Sequence, residues 1–203
     1  MVNSQISRLA AAHKALQECL WTVRLDELSS LAPMGRIENA LRRSNKGFDD
    51  WMHKLLAVAR KTAPYTYCDY SHYGLGASAL AFDGKKLGVI GGANCENGAY
   101  TPTKHAEEAA VCNAQSAGYM YRARQNGLKK TEWLIALGVW DPNDLLNPVP
   151  CNLCRQFLLE FGRDLLIIGP GPEKHLVNAT TLKIITPGAF VPEMVKSVLP
   201  KVS

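Results

Sequence analysis

His105-Ala106-Glu107-Glu108-Ala109-Ala110-Val111 and Pro150-Cys151-Asn152-Leu153-Cys154 stand on either side of an apolar run, Glu132-Trp133-Leu134-Ile135-Ala136-Leu137-Gly138-Val139-Trp140. The first segment lies in a stretch of good helix formers, which predicts a helix from Thr103 to Tyr119. The apolar run reads as a buried strand. Cys151 to Phe161 reads as a second helix. Working outward, Leu75 to Phe82 and Lys86 to Gly91 are strand-like and joined by Asp83-Gly84, a hairpin pattern. Leu165 to Gly169 and Leu182 to Thr186 read as further strands, with a short helix after Pro192. Strands alternating with helices imply a layered α/β sheet with helices on both faces.

The first 47 residues read as helical. Ile6, Leu9, Leu16, Leu20 and Val23 recur at amphipathic-helix spacing, and Ser4 is a candidate N-cap. Leu31 to Gly35 breaks this pattern, and a short helix over Ile37 to Leu41 follows. Asn45-Lys46-Gly47 is a second break, which divides the chain into an N-terminal helical extension, 1–47, and a main domain, 48–203. A helix capped by Asp49 or Asp50 then carries Trp51, Leu55, Leu56 and Val58 and ends before Pro64.

The chain has 203 residues, 47% hydrophobic and 20% charged, enough for one domain with a full core. No apolar run approaches the ~18 residues of a membrane span, and Met1 to Gln5 begins no secretory signal. The expected location is the cytoplasm, with no membrane partner. A net charge of +5 spread along the chain gives little pull toward polyanions. Of the six cysteines, two form a Cys-x-x-Cys pair after a proline, which suits a metal better than a disulfide. Cys19, Cys68, Cys95 and Cys112 share no pattern and read mainly as small buried residues.

His105, Cys151 and Cys154 are three ligands of the kind zinc takes, and Glu107 is a carboxylate the metal does not need. Structural zinc sites are usually closed by four protein ligands, whereas catalytic sites use three and keep one position open. Cys151 and Cys154, on the first turn of a helix, present both sulfurs on one side. Helix N-termini carry free N–H groups and partial positive charge, which favours thiolates. Two thiolates and a neutral imidazole leave a Zn²⁺ site formally neutral, able to acidify water without a compensating cation at Glu108. Glu107 then takes the proton and hands it on. Ala106 is small, so its backbone can approach a substrate closely. Neither motif is specific alone. Together, on successive helices with a strand between, they match the H-x-E…P-C-x-x-C signature of zinc-dependent base deaminases.

The chain resembles the cytidine deaminase family in more than the metal ligands. Tyr70-Ser71-His72-Tyr73-Gly74-Leu75-Gly76-Ala77 is similar to its Y-S-x-F-x-V-G-A segment, and Asn94-Cys95-Glu96-Asn97 to its N-x-E-N segment. Cys151-Asn152-Leu153-Cys154-Arg155-Gln156 resembles C-x-x-C-R-Q, and Pro187-Gly188-Ala189-Phe190-Val191-Pro192 resembles P-x-x-F-x-P. The resemblance covers roughly Trp51 to Leu199. It implies a three-layer α/β/α sandwich around a central mixed five-stranded sheet, and one Zn²⁺ per subunit. It also implies ribose hydroxyls held by Asn94 and Glu96, and a pyrimidine against Tyr73 and Phe190. Alternation along an extended chain points Asn94 and Glu96 the same way, which suits a sugar diol.

The resemblance further implies a homo-oligomer with active sites near subunit interfaces. Short tetrameric members carry Cys where His105 stands and Arg after the Glu. His105 and Glu108 are like the longer dimeric members, yet the spacing from Glu96 to His105 is that of the short ones, so tetramer and dimer both stay open. Gly118 to Trp133 and Asp141 to Val149 are longer than the family core needs. Arg122, Arg124, Lys129 and Lys130 in the first of them read as a solvated helix end.

The implied activity is zinc-dependent deamination of cytidine or 2′-deoxycytidine to the uridine, as in pyrimidine salvage. One alternative is the same chemistry on a modified nucleoside, such as a nucleoside antibiotic, or on polynucleotide cytosine. Nucleic-acid enzymes need phosphate-binding cations interleaved with stacking aromatics, and beside the basic run only Tyr119 and Tyr121 qualify. A zinc-stabilised binding module is a third reading, but a closed structural site has no need of Glu107.

Overall fold

A computed structural model of the protein describes residues 21–30, 32–142, 149–173 and 176–187. Six strands form one mixed sheet among the described residues. They are β1 (Trp21–Arg24), β2 (Gly76–Phe82), β3 (Leu87–Ala93), β4 (Leu134–Trp140), β5 (Leu166–Pro170) and β6 (Leu176–Thr181), in the order β1-β6-β5-β4-β2-β3. β4 and β5 are parallel, and every other neighbouring pair is antiparallel. The helices are α1 (Met34–Leu41), α2 (Phe48–Thr62), α3 (Ala106–Ser116), α4 (Tyr119–Gln125), α5 (Asn152–Leu158) and α6 (Leu182–Ile185). No helix among the described residues is long and apolar enough to cross a membrane.

The layers follow from period-two alternation. In β2, Ala77, Ala79 and Ala81 face a core that includes Ala106, Ala110, Val111 and Leu158 of α3 and α5. Leu80 and Phe82 face the opposite core with Trp51, Met52 and Leu55 of α2. All of β2 is buried, as expected for a strand covered on both faces. Leu25, Leu28, Ile37 and Ala40 join the α2-side core.

Glycines set how close the helices come. A Cβ on Gly92 would lie 2.6 Å from the Ala106 carbonyl oxygen, and one on Gly76 would lie 2.7 Å from the Ala63 nitrogen. The helices on both faces are therefore seated backbone against backbone.

Four expectations are corrected. The sheet has six strands, not five, because Trp21–Arg24 pairs antiparallel with Leu176–Ala179. The helical reading that ran through Val23 fails there, since Trp21-Thr22-Val23-Arg24 is also a strand-favouring run. The apolar run from Leu182 is a helical turn, and the last strand lies before it at Leu176–Thr181. The single helix expected over 103–119 breaks at Gly118, whose φ of +83° glycine adopts without steric cost, and α4 follows.

The hairpin turn is held by Asp83, which is 2% exposed. Its carboxylate accepts the backbone N–H groups of Lys85 (3.0 Å) and Lys86 (2.9 Å) and Arg122 Nε (2.9 Å). Arg122 also lies over the Tyr119 ring, and Lys130 pairs with Glu160 at 2.6 Å, so part of the basic run is tied down. Burial acts to raise the Asp83 carboxyl, but the Lys86 N–H, Arg122 and the Lys85 N–H outweigh it and hold it below the usual carboxylate range. Its stabilisation is therefore complete above the unfolded value of ~3.9 and is lost as pH falls through the lower folded value. Asp83→Ala is expected to cost about 1–3 kcal/mol at neutral pH, read as a lowered urea midpoint. The gap from the parent protein should narrow as pH falls through that lower value. An equal gap above and below it would remove the charge from this account.

Candidate active site

β3, β4 and β5 run in one direction, so their carboxyl ends share one edge of the sheet. In open α/β sheets ligands bind beyond that edge. The N-termini of α3 and α5 converge there. His105 is the N-cap of α3, extended at φ −80° and ψ 153°, and Ala106 and Glu107 form the first turn. Cys151 is the N-cap of α5, where its sulfur accepts the Cys154 N–H.

His105 Nδ1 lies 3.2 Å from Cys151 Sγ and 3.3 Å from Cys154 Sγ. All three ligand atoms are within 4.8 Å of one another, a cluster that could hold a metal ion. With bonds of 2.0–2.3 Å, a tetrahedral zinc site has N-to-S edges of about 3.6 Å. The nitrogen and two sulfurs therefore suit zinc by chemistry and need only small outward adjustments.

Without metal, the two cysteines divide one proton. A hydrogen bond from Cys154 chiefly pulls the Cys151 thiol down to about 5, and the same bond together with burial pushes Cys154 up. Glu107 is 4% exposed. Burial pushes its carboxyl above the ordinary range, with the nearby Cys151 adding in the same direction. A carboxyl raised in this way is suited to both accepting and returning a proton.

These groups open on a cavity of about 440 Å³ whose lining includes Tyr73, Leu75, Asn94, Glu96, Ala106 and Glu107. Asn94 and Glu96 face it together, and both are also bonded to the chain between residues 70 and 75. Asn94 Oδ1 accepts the Leu75 N–H at 2.7 Å, and its Nδ2 donates to the Tyr73 carbonyl at 2.9 Å. The Glu96 carboxylate accepts the N–H groups of Tyr70 (3.0 Å) and Ser71 (3.1 Å) and the Ser71 hydroxyl. Its carboxyl lies below the ordinary range, chiefly because of that hydroxyl. The Tyr73 hydroxyl donates to Asp141 Oδ2 at 2.7 Å. Phe190 lies outside the described residues, as does the helix expected after Pro192.

Sequence reasoning missed Ser71, Thr103, Val149 and Arg155 in the cavity wall. Ser71 and Arg155 sit inside motifs that were recognised. Their contacts were invisible because each depends on a distant partner, Glu96 for Ser71 and the Ile185 carbonyl, 2.6 Å away, for Arg155.

The sequence model of the cytidine and deoxycytidylate deaminase zinc-binding region matches residues 49–169. The chain belongs to the cytidine and deoxycytidylate deaminase family. It is 32% identical over 144 residues to a probable cytidine deaminase of Dictyostelium discoideum, covering 70% of this chain and 85% of that protein. It is 36% identical over 141 residues to a cytidine deaminase of Mycobacterium tuberculosis, covering 70% and 90%. The crystal structure of the Burkholderia pseudomallei cytidine deaminase aligns with a TM-score of 0.55 at 26% identity, over 68% of this chain and 98% of that one. That of the Mycobacterium tuberculosis enzyme aligns at 0.52 and 31%, over 70% and 98%. For a deaminase of this zinc-binding family, the α/β fold and the His105, Cys151 and Cys154 cluster are the features the sequence motifs anticipated.

Proposed function

We propose that the protein hydrolyses the amino group from cytidine and 2′-deoxycytidine, giving uridine or 2′-deoxyuridine and ammonia, with one zinc ion held by His105, Cys151 and Cys154. The carrying observation is a buried carboxylate, Glu107, at the mouth of a helix whose N-cap belongs to a three-ligand cluster with no fourth ligand among the described residues. Zinc bound there supplies Lewis-acid activation of water. Glu107 accepts a proton from the attacking water and delivers it to the ring nitrogen beside the amino carbon. It moves a second proton to the amino group, which leaves as ammonia. Each step needs a carboxyl that is readily protonated, and burial provides one.

Asn94 and Glu96 take the ribose hydroxyls in this reading. An ionised carboxylate offers about four acceptor sites, and a carboxamide two N–H groups and two lone pairs. The bonds to residues 70–75 leave acceptor capacity on both side chains and one N–H on Asn94. The pair is thus ordered before the sugar arrives, which lowers the entropy cost of binding. Ala106 keeps the floor shallow, and Tyr73 and Phe190 supply flat apolar faces for the base. Residues 48–203 form the catalytic domain and 1–47 an extension of it. The same reading takes the protein as a homo-oligomer. Support comes from Tyr67 and Tyr70, 46% and 53% exposed on the loop before β2, and Tyr100, 77% exposed on the loop that carries Glu96 and leads to His105.

The test is a substrate panel with the zinc-loaded protein, followed by the ultraviolet change from cytosine to uracil. Turnover of cytidine and deoxycytidine, with little on cytosine or a cytosine oligonucleotide, is the expected result. Turnover confined to the oligonucleotide, or none at all, would overturn the assignment.

A further inference from the structure

Tyr73 is held at three points. Its backbone N–H donates to Ser71 Oγ (3.0 Å), its carbonyl accepts from Asn94 Nδ2 (2.9 Å), and its hydroxyl donates to Asp141 Oδ2 (2.7 Å). The first two partners line the cavity beside it. The third comes from across the sheet. Asp141 follows the last residue of β4, Trp140, which pairs with Gly76 at the start of β2, and Tyr73 stands just before that start. Strand register therefore brings the two side chains together.

Asp141 is only 4% exposed. On its far side it lines a second cavity, of about 530 Å³, with His53, Arg60 and Trp140. The Tyr73–Asp141 bond thus crosses the wall between two open spaces. A half-buried phenol that lost its acceptor would leave a hydroxyl unsatisfied, with room on the far side to turn into. A charged acceptor makes this tie stronger than a neutral one.

We propose that Asp141 is a positioning residue which, by holding the Tyr73 hydroxyl, fixes the Tyr73 ring as the wall that receives the flat base. This rests on the deaminase reading of the cavity. Asp141 lines the second cavity and not the one that Glu107 opens on, and its effect on the base passes through Tyr73.

The experiment is a cycle of Asp141→Ala, Tyr73→Phe and the double variant, with Asp141→Asn alongside. It is read as cytidine kcat and KM and as the calorimetric Kd for uridine, with zinc content and Tm recorded for each protein. Asp141→Ala should raise KM and Kd about 3- to 10-fold, the range for re-ordering one side chain on binding, with kcat much less affected. Asp141→Asn, which keeps an acceptor, should restore most of this. In the Tyr73→Phe background, Asp141→Ala should do nothing further. An equal effect of Asp141→Ala in both backgrounds, no rescue by Asn, or unchanged KM and Kd would overturn the proposal. If Asp141→Ala does not fold, Asp141→Leu, which fills the space but offers no acceptor, completes the cycle in the two backgrounds. Failure of the parent protein to turn over cytidine would count against the deaminase reading, and the uridine cycle would still decide whether Asp141 acts through Tyr73.

Discussion

Glu107→Gln should leave a folded, zinc-containing protein whose kcat on cytidine is lower by about 10²–10⁴-fold, the usual contribution of a positioned acid–base group. The change keeps shape and volume and removes only the ability to carry a proton. Glu107 is buried, so no water can readily take over its work. Loss of a transition-state role lowers kcat and kcat/KM together and leaves binding of uridine nearly as before. Steady-state kinetics, zinc analysis and uridine calorimetry on one preparation separate these effects. Full activity with zinc retained would remove Glu107 from the proton path.

Cys154→Ala should release the metal and take the activity with it. Cys154 is fully buried and forms the inner corner of the cluster. Losing even a group that merely orients a ligand typically costs 10–100-fold in metal affinity. Loss of a ligand is expected to exceed about 100-fold, seen as a substoichiometric zinc content after dialysis. The parent protein stripped with a chelator should lose activity and recover it with added zinc. Proton counting gives a further check. The bond between the two thiols pulls Cys151 down and pushes Cys154 up. Zinc uptake near neutral pH should therefore release protons, and the affinity should fall as the pH is lowered. Stoichiometric zinc in Cys154→Ala would exclude Cys154 as a ligand.

The His105, Cys151 and Cys154 cluster was legible because each half of it is local. His105 and Glu107 share one helix start, and Cys151 and Cys154 share another, so short-range spacing was enough. The hairpin was equally plain from Asp83-Gly84 between two apolar runs. The edge of the sheet was hidden for a physical reason. β6 carries Asn178 and Thr180 at 5% and 1% exposure, polar residues that break the hydrophobic pattern of a buried strand. Asn178 is satisfied from neighbouring strands, accepting from Thr22 Oγ1 at 2.7 Å and donating to the Pro170 carbonyl at 3.2 Å. The same pairing turns Trp21–Arg24 into a strand. Neither strand of this pair is readable without the other. The Tyr73–Asp141 tie is of the same kind, since its partners are separated by 68 residues and meet only through register.

The seat of α3 on Gly92 limits how this protein could be adapted. Main chain lies directly on main chain where Gly92 meets Ala106 and Ala110, so any substitution that lifts α3 would shift His105 and Glu107 in the same step. The cavity can be reshaped more freely at Thr103 and Val149, lining residues that lie outside any helix.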